Sequence, residues 1–434
     1  MALGGGTFVT QNKVLPGAYI NFVSLAAASA TLSDRGIATM PLELDWGVEG
    51  AVFEVTNKDF ENYSMKIFGY HYDHEKMKGL RDLFKNITTL YVYRLNGDGE
   101  KASNDYATAK FGGVRGNSLK VIIQKNVDDE SMFDVKTVMD TTVVDTQTVA
   151  KADDLVANDF VTWKTTDLAV TAGIALEGGT NGTVDGEAHQ TYIDKIESYS
   201  FNALGVVSTD DSIKTLYVNF CKRLRDELGV KFQAVIYNKA ADYEGVINVK
   251  NKVTDEGWNE SCLVYWVTGI AAGCAVNKSN LNKIYDGEFT VDVDYTQSQL
   301  SNSIQTGEFV LHKVGSDIRV LEDINSLVTV SDVKGDIFKD NQTIRFADQS
   351  AIDIAVLFNT KYLGVVPNDA AGRISLWTDI VKYFEQMQDI RAIENFSDKD
   401  VTVSQGNSKK AVVIDTTVTV VNAMSKLYMT VTVA

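Results

Sequence analysis

Ala203-Leu204-Gly205-Val206-Val207, then Thr209-Asp210-Asp211-Ser212, then Ile213, Leu216, Tyr217, Phe220, Leu224 and Leu228 at helical spacing, decide the fold class. A short apolar run bounded by turn residues reads as a buried strand, and the Thr-Asp-Asp-Ser group caps the amphipathic helix that follows. Lys231 to Tyr237 returns as a second strand, so the segment is a βαβ unit with parallel strands. Gly245 to Val249 adds a further strand, and Ser261 to Val276 reads as a buried helix. Residues 176–345 are therefore predicted to form a central α/β domain.

Toward the N-terminus the composition changes at Ala175-Leu176-Glu177-Gly178-Gly179-Thr180-Asn181-Gly182. Residues 100–175 read as a small inserted β domain, with strands at Ser118 to Lys125, Phe133 to Met139, Thr141 to Thr148 and Phe160 to Trp163. Residues 21–99 are mixed: Ile37 to Leu44 and Tyr91 to Leu95 read as strands, and Lys76 to Phe84 as a helix. Residues 1–20 open with Gly4-Gly5-Gly6 and a β-prone run, and are expected to be an arm that can extend and pair.

Toward the C-terminus residues 280–345 are polar and β-leaning, and residues 346–421 are expected to be an α+β domain. Its helices are predicted from Ser350 to Tyr362 and from Gly372 to Gln388. From Ala411 to Val421 an alternating pattern predicts one long strand, and residues 422–434 hold a second. That second run sets Leu427, Met429, Val431 and Val433 against Tyr428, Thr430 and Thr432, with neither Pro nor a charge after Lys426 to blunt it. An edge of this kind must pair, either inside its own domain or in the sheet of a neighbouring subunit.

Lys and Arg number 41 against 58 Asp and Glu, a net charge of -17, which opposes nucleic acid and anionic membranes as partners. The three cysteines form no C-x-x-C pair, so neither a disulfide framework nor a zinc site is expected. No signal peptide, membrane insertion or membrane span is predicted.

Few residues suggest chemistry. Asp210 and Asp211 sit at the carboxyl end of a strand, where α/β enzymes place acids, and an enzyme using them as acid/base or metal carboxylates is one alternative reading. The same carboxylates suit a helix N-terminus, which is the preferred role. His71 and His74 lack a third metal ligand nearby in sequence. Gly112-Gly113-Val114-Arg115-Gly116-Asn117 precedes a strand, whereas a phosphate cradle opens a helix. Gly269-Ile270-Ala271-Ala272-Gly273 reads as close helix packing, and no cofactor is expected. A third reading is an adhesin using the Thr-rich β region, against which the missing signal peptide counts.

Several stretches together resemble the tail sheath proteins of contractile phage tails and R-type bacteriocins, especially the short sheaths of Gram-positive phage-like particles. They are Gly6-Thr7-Phe8 with Asn12 to Phe22, Arg35-Gly36-Ile37-Ala38 with Asp45-Trp46-Gly47, Phe111 to Asn117, Leu176-Glu177-Gly178-Gly179, Trp266 to Gly273, and Met424 to Val431. The resemblance runs the length of the chain in order. It implies an α+β and α/β multidomain protein with terminal β-strand arms for sheet augmentation between subunits, and a structural, non-catalytic role. Subunits would stack as hexameric rings around an inner tail tube in a metastable extended state, then contract to drive the tube through a cell envelope. It further implies baseplate and tail terminator partners, assembly in the bacterial host cytoplasm, and release by lysis. Thr7, Phe8, Val9, Thr10 and Gln11, and Leu427, Tyr428, Met429, Thr430, Val431, Thr432 and Val433, would be the exchanged strands. Arg373 and Lys382 are expected to face the tube, because release favours charge-steered contacts over a large apolar interface.

Overall fold

A computed structural model describes residues 35–433, which divide into two compact units: 349–421, and 35–348 together with 422–433. In the larger unit the first part of the chain contributes β1 (Ile37–Leu42), β2 (Val52–Thr56), α1 (Asn57–Phe68), α2 (Lys78–Phe84) and β3 (Thr89–Arg94). An inserted β region follows, with β4 (Ala107–Ala109), β5 (Leu119–Lys125), β6 (Phe133–Met139), β7 (Thr142–Val149), β8 (Val161–Trp163) and β9 (Thr171–Ala175). The chain then returns through α3 (Gly186–Ile196), β10 (Ala203–Val206), α4 (Asp211–Arg223), β11 (Gln233–Tyr237), β12 (Val246–Val249) and α5 (Leu263–Gly273). α6 (Gln297–Gln305), β13 (Glu308–Phe309), β14 (Leu311–Val314) and β15 (Asp317–Val320) complete this run. α7 (Asn341–Leu357) carries the chain across the division between the units.

A single seven-stranded sheet, ordered β13-β12-β11-β10-β1-β3-β2, joins residues from both sides of the insertion. Every neighbouring pair is parallel except β2 and β3. The expected βαβ unit is present as β10-α4-β11. Period-two alternation splits each strand between two cores. Val235 and Tyr237 face the core beneath α2 and α5, while Ala234 and Ile236 face the core beneath α3 and α4. α5 is apolar all round and buried; a Cβ on Gly269 would lie 2.7 Å from the Leu83 carbonyl oxygen, and one on Gly273 only 1.7 Å from that of Asn86. The two glycines let α5 press against α2 and its exit turn, the close packing read from the sequence.

The inserted region is a four-stranded antiparallel sheet, β7-β6-β5-β9, with the β4-β8 pair beside it. Its attachment explains the glycine-rich turn that sequence reading left without a role. A Cβ on Gly99 would sit 1.9 Å from the Thr180 carbonyl oxygen, and one on Gly182 1.7 Å from that of Gly97, so the outgoing and returning connections touch backbone to backbone. Buried Arg94 donates to the carbonyls of Gly112 (2.7 Å) and Gly47 (3.4 Å), and Asn117 exchanges hydrogen bonds with Gly179 at 2.8 Å in both directions. Burial alone would raise the Asp45 carboxyl. Hydrogen bonds from Tyr70 (2.6 Å) and Asn181 (2.9 Å), with the Lys76 and Arg94 charges, instead hold it below its usual value.

Three expectations are corrected. Residues 297–305, read as β-leaning, form α6, which starts at a capping box of Thr296 and Gln299. α7 begins at Asn341 and not near Ser350, because its first turns bury polar side chains, among them Asn341, Gln342 and Arg345, that show no apolar stripe. The long strand over 411–421 is two short ones in the smaller unit, β18 and β19, defined below. β2 and α1 were not resolved by sequence reading at all, although Thr56 and Asp59 form a capping box there.

Candidate assembly surface

The smaller unit contains the C-terminal part of α7, then α8 (Ala370–Asp389), β16 (Ile393–Glu394), β17 (Val401–Gln405), β18 (Val412–Thr416) and β19 (Thr419–Val420). α8 buries Leu376, Ile380, Val381, Tyr383, Phe384 and Met387. Tyr383 donates to the Asp353 carboxylate (3.0 Å), Lys361 pairs with buried Asp379 (2.6 Å), and the Trp377 indole donates to the Val401 carbonyl (3.0 Å). The strands form two separate two-stranded sheets: β17 pairs antiparallel with β18, and β16 with β19. Each strand therefore has one edge without a sheet partner among the described residues. A lone two-stranded sheet is marginal in water, so such edges accept further strands readily.

Residues 427–433 pair with no strand among the described residues. Leu427 is 85% exposed, Met429 75%, Val431 68% and Val433 89%, and Tyr428 on the other side is 89% exposed. The alternation is the one read from the sequence, with both faces in solvent. Between the two partners the sequence left open, a strand inside its own domain is not what the described residues form. Thr7 to Gln11 lie outside the described residues.

The α8 side chains expected to face one partner do not share a face. Arg373 is half-buried and donates to the main-chain and side-chain oxygens of Asn368 (3.1 and 3.0 Å). Lys382 is exposed and, nine residues on at 3.6 residues per turn, points about half a turn away. Ile374, Lys382, Glu385 and Asp389 make up the exposed stripe.

The alternative acids are committed elsewhere. Asp210 caps α4, accepting from the Ser212 (2.7 Å) and Ile213 (3.1 Å) amides, and these bonds lower its pKa. Asp211 pairs with Lys239 at 2.9 Å, which lowers its pKa too. Both carboxylates are thereby held ionised, the wrong state for a general acid at neutral pH. His74 accepts from the Lys76 amide (3.1 Å) and stacks on Tyr70, while His71 approaches Thr142. Among the described residues no group of three or more His, Cys, Asp and Glu is placed to hold a metal ion, and no helix is long and apolar enough to cross a membrane.

Comparison with known proteins decides what this architecture is. Four family models match in succession: the tail sheath protein Gp18 domain III N-terminal region at 35–95, the phage tail sheath β-sandwich domain at 97–181, the central domain at 182–326 and the C-terminal domain at 333–434. The crystal structure of a sheath tail protein from Desulfitobacterium hafniense is 36% identical, with a TM-score of 0.83 over 95% of this chain and 99% of that one. This chain belongs to the phage tail sheath family. The phage-like element PBSX protein XkdK of Bacillus subtilis is a relative 34% identical over 469 aligned positions, covering 99% of this chain and 100% of the relative. The contracted helical sheath of the anti-feeding prophage shares the fold at 13% identity, with a TM-score of 0.57 over 97% of this sheath chain.

Proposed function

We propose that this tail sheath protein polymerises as stacked hexameric rings around an inner tail tube, is held in a metastable extended state, and contracts to drive the tube through a target envelope. The observation that carries the reading is the exposed, unpaired apolar alternation of residues 427–433, in a chain whose smaller unit offers two-stranded sheets with open edges. A neighbour's arm added to such an edge would link subunits by backbone hydrogen bonds and bury Leu427, Met429, Val431 and Val433. Roughly five shared hydrogen bonds at about 0.5–1.5 kcal/mol each would add about 2.5–7 kcal/mol per link. Thr7 to Gln11 would be exchanged in the same way. Because the links are extended chain, rings can rotate and collapse while the mesh survives. The energy for contraction would come from a second, better-buried packing: a further 200 Å² of apolar burial per subunit, on the order of 25 cal/mol per Å², supplies about 5 kcal/mol.

No catalysis is needed for this work, and no nucleotide. Tube contact is assigned to the exposed stripe of α8 around Lys382, with Arg373 reassigned to holding the loop before that helix. Baseplate and terminator proteins would cap the stack, which would assemble in the host cytoplasm and leave by lysis. Negative-stain microscopy of the full chain beside a version lacking residues 426–434, each with tube protein, tests the proposal. Ring-stacked tubes from the full chain and dispersed, folded protein from the truncation are expected. Dispersed monomers from both would refute it.

A further inference from the structure

The order of strands in the large sheet reverses direction between β1 and β10. From β1 the chain runs outward to β3 by way of β2, α1 and α2, and from β10 it runs the other way to β11 by way of α4. α2 packs in the core on one face of the sheet and α4 in the core on the other. The connections leaving the carboxyl ends of β1 and β10 therefore diverge, and a crevice of about 580 Å³ opens between them. In open α/β sheets this is the position at which ligands bind. Neither the arm nor α8 contributes to it.

The crevice is lined by acceptors, and no Lys or Arg lines it. Glu43, just past the end of β1, is exposed and makes no hydrogen bond or ion pair with a described residue. Asp185 and Asp210 stand at the N-termini of α3 and α4, which would otherwise attract an anion. Asp185 Oδ1 already accepts the Glu187 and Ala188 amides, both at 3.0 Å, as Asp210 Oδ1 accepts those of Ser212 and Ile213. The helix donors are occupied, and each carboxylate keeps acceptor capacity on its second oxygen. The arrangement repels an anion and suits a cation.

Three carboxylates on a surface do not by themselves mark a site; the wall behind them does. His189 is only 6% exposed, and its Nδ1 shares a hydrogen bond with the buried Tyr217 hydroxyl (2.8 Å). The ring lines the crevice, and its Nε2 has no partner among the described residues. Burial holds the imidazole below its usual pKa against the pull of Asp185 and Asp210, so at neutral pH it adds no charge to oppose a cation. Trp258 and Tyr265 complete the wall with aromatic rings of the kind on which a guanidinium stacks.

We propose that this crevice is a docking site for a basic side chain, an arginine or lysine, on the surface of a partner protein. The three carboxylates are exposed, so a free small cation would stay half in water and be held weakly; a side chain carried on a partner brings a surface that covers the mouth of the crevice. Arginine fits better than lysine, because its planar group can lie against the aromatic wall while donating to the carboxylates.

Histidine labelled with carbon-13 at Cε1 gives one signal each from His71, His74, His189 and His312, and titration of the dispersed full chain with acetyl-Gly-Arg-Gly-amide tests the site. The His189 signal is expected to move saturably while those of His71, His74 and His312 stay in place. The matching citrulline tripeptide, which has the same shape without the charge, is expected to cause no shift. The combined variant Glu43→Gln, Asp185→Asn, Asp210→Asn keeps both helix caps and is expected to bind the arginine tripeptide roughly tenfold more weakly, with its other His signals unchanged as evidence of folding. No shift of His189, an equal shift with the citrulline tripeptide, or undiminished binding by the variant would each overturn the proposal. Tighter binding of n-butylguanidinium than of the tripeptide would assign the crevice to a free organic cation and overturn the partner. The chain is dispersed throughout, so these results stand apart from whether it assembles into rings.

Discussion

The central strands of the seven-stranded sheet are short continuous apolar runs and the C-terminal arm alternates apolar residues with Tyr and Thr, and the two end in opposite environments. In the sheet, Val235 and Ile236 on opposite faces are fully buried, whereas in the arm Leu427 and Tyr428 on opposite faces are both exposed. The sheet has helices to cover it; the arm has nothing within the described chain. The difference teaches that the pattern specifies strand geometry, while the surroundings decide whether a strand serves stability or association. Removing residues 426–434 is therefore expected to abolish tube formation while leaving the urea midpoint unchanged. An equal loss of stability would mean that the arm belongs to the fold.

Substitutions on the sheet side of the comparison are expected to do the reverse. Gly182→Ala forces a methyl group into the Gly97 carbonyl and is expected to cost about 3 kcal/mol by chemical denaturation, through overpacking of the seam between insertion and sheet. A change under 1 kcal/mol would show that the seam yields. Thr56→Ala removes the α1 cap and is expected to cost about 1 kcal/mol, with the arm's accessibility to protease unchanged. Smallest on stability is Lys382→Glu on the exposed stripe of α8, which should weaken assembly on tubes severalfold with no shift in Tm. Arg373→Glu should instead lower the Tm through loss of the Asn368 contacts, and the opposite assignment of these two effects would return Arg373 to the tube surface.

The parts of the fold carried by apolar periodicity were legible in the sequence. β10-α4-β11 stands where the spacing put it, and four strands of the insertion, β5 to β8, lie within a residue or two of expectation, whereas β4 and β9 were not read from the sequence. Part of what escaped was held by polar chemistry. The first turns of α7 bury Asn341, Gln342 and Arg345 against Asp323, so their helix has no apolar signature. α1 does bury Phe60 and Phe68 at helical spacing behind its capping box at Thr56, a periodicity that sequence reading passed over, while α6 buries little apolar surface beyond Leu300 behind its capping box at Thr296. The Gly99, Gly112 and Gly182 contacts are backbone approaches between segments far apart in sequence, which composition cannot reveal. Of the candidate site, the arm's alternation was readable, and so was the half turn between Arg373 and Lys382 once residues 372–388 were read as a helix; the bonds from Arg373 to Asn368 were not.

Whether the arm joins neighbours is tested most directly by mixing isotopically heavy and light chains, assembling them on tubes, and cross-linking lysines. Lys426 lies at the start of the arm's strand, and Lys409 and Lys410 lie in the turn between β17 and β18. Mixed heavy–light links from Lys426 to Lys409 or Lys410 are expected in assembled tubes and absent from dispersed chains. Links confined to chains of one isotope would place the arm on its own subunit and contradict the account.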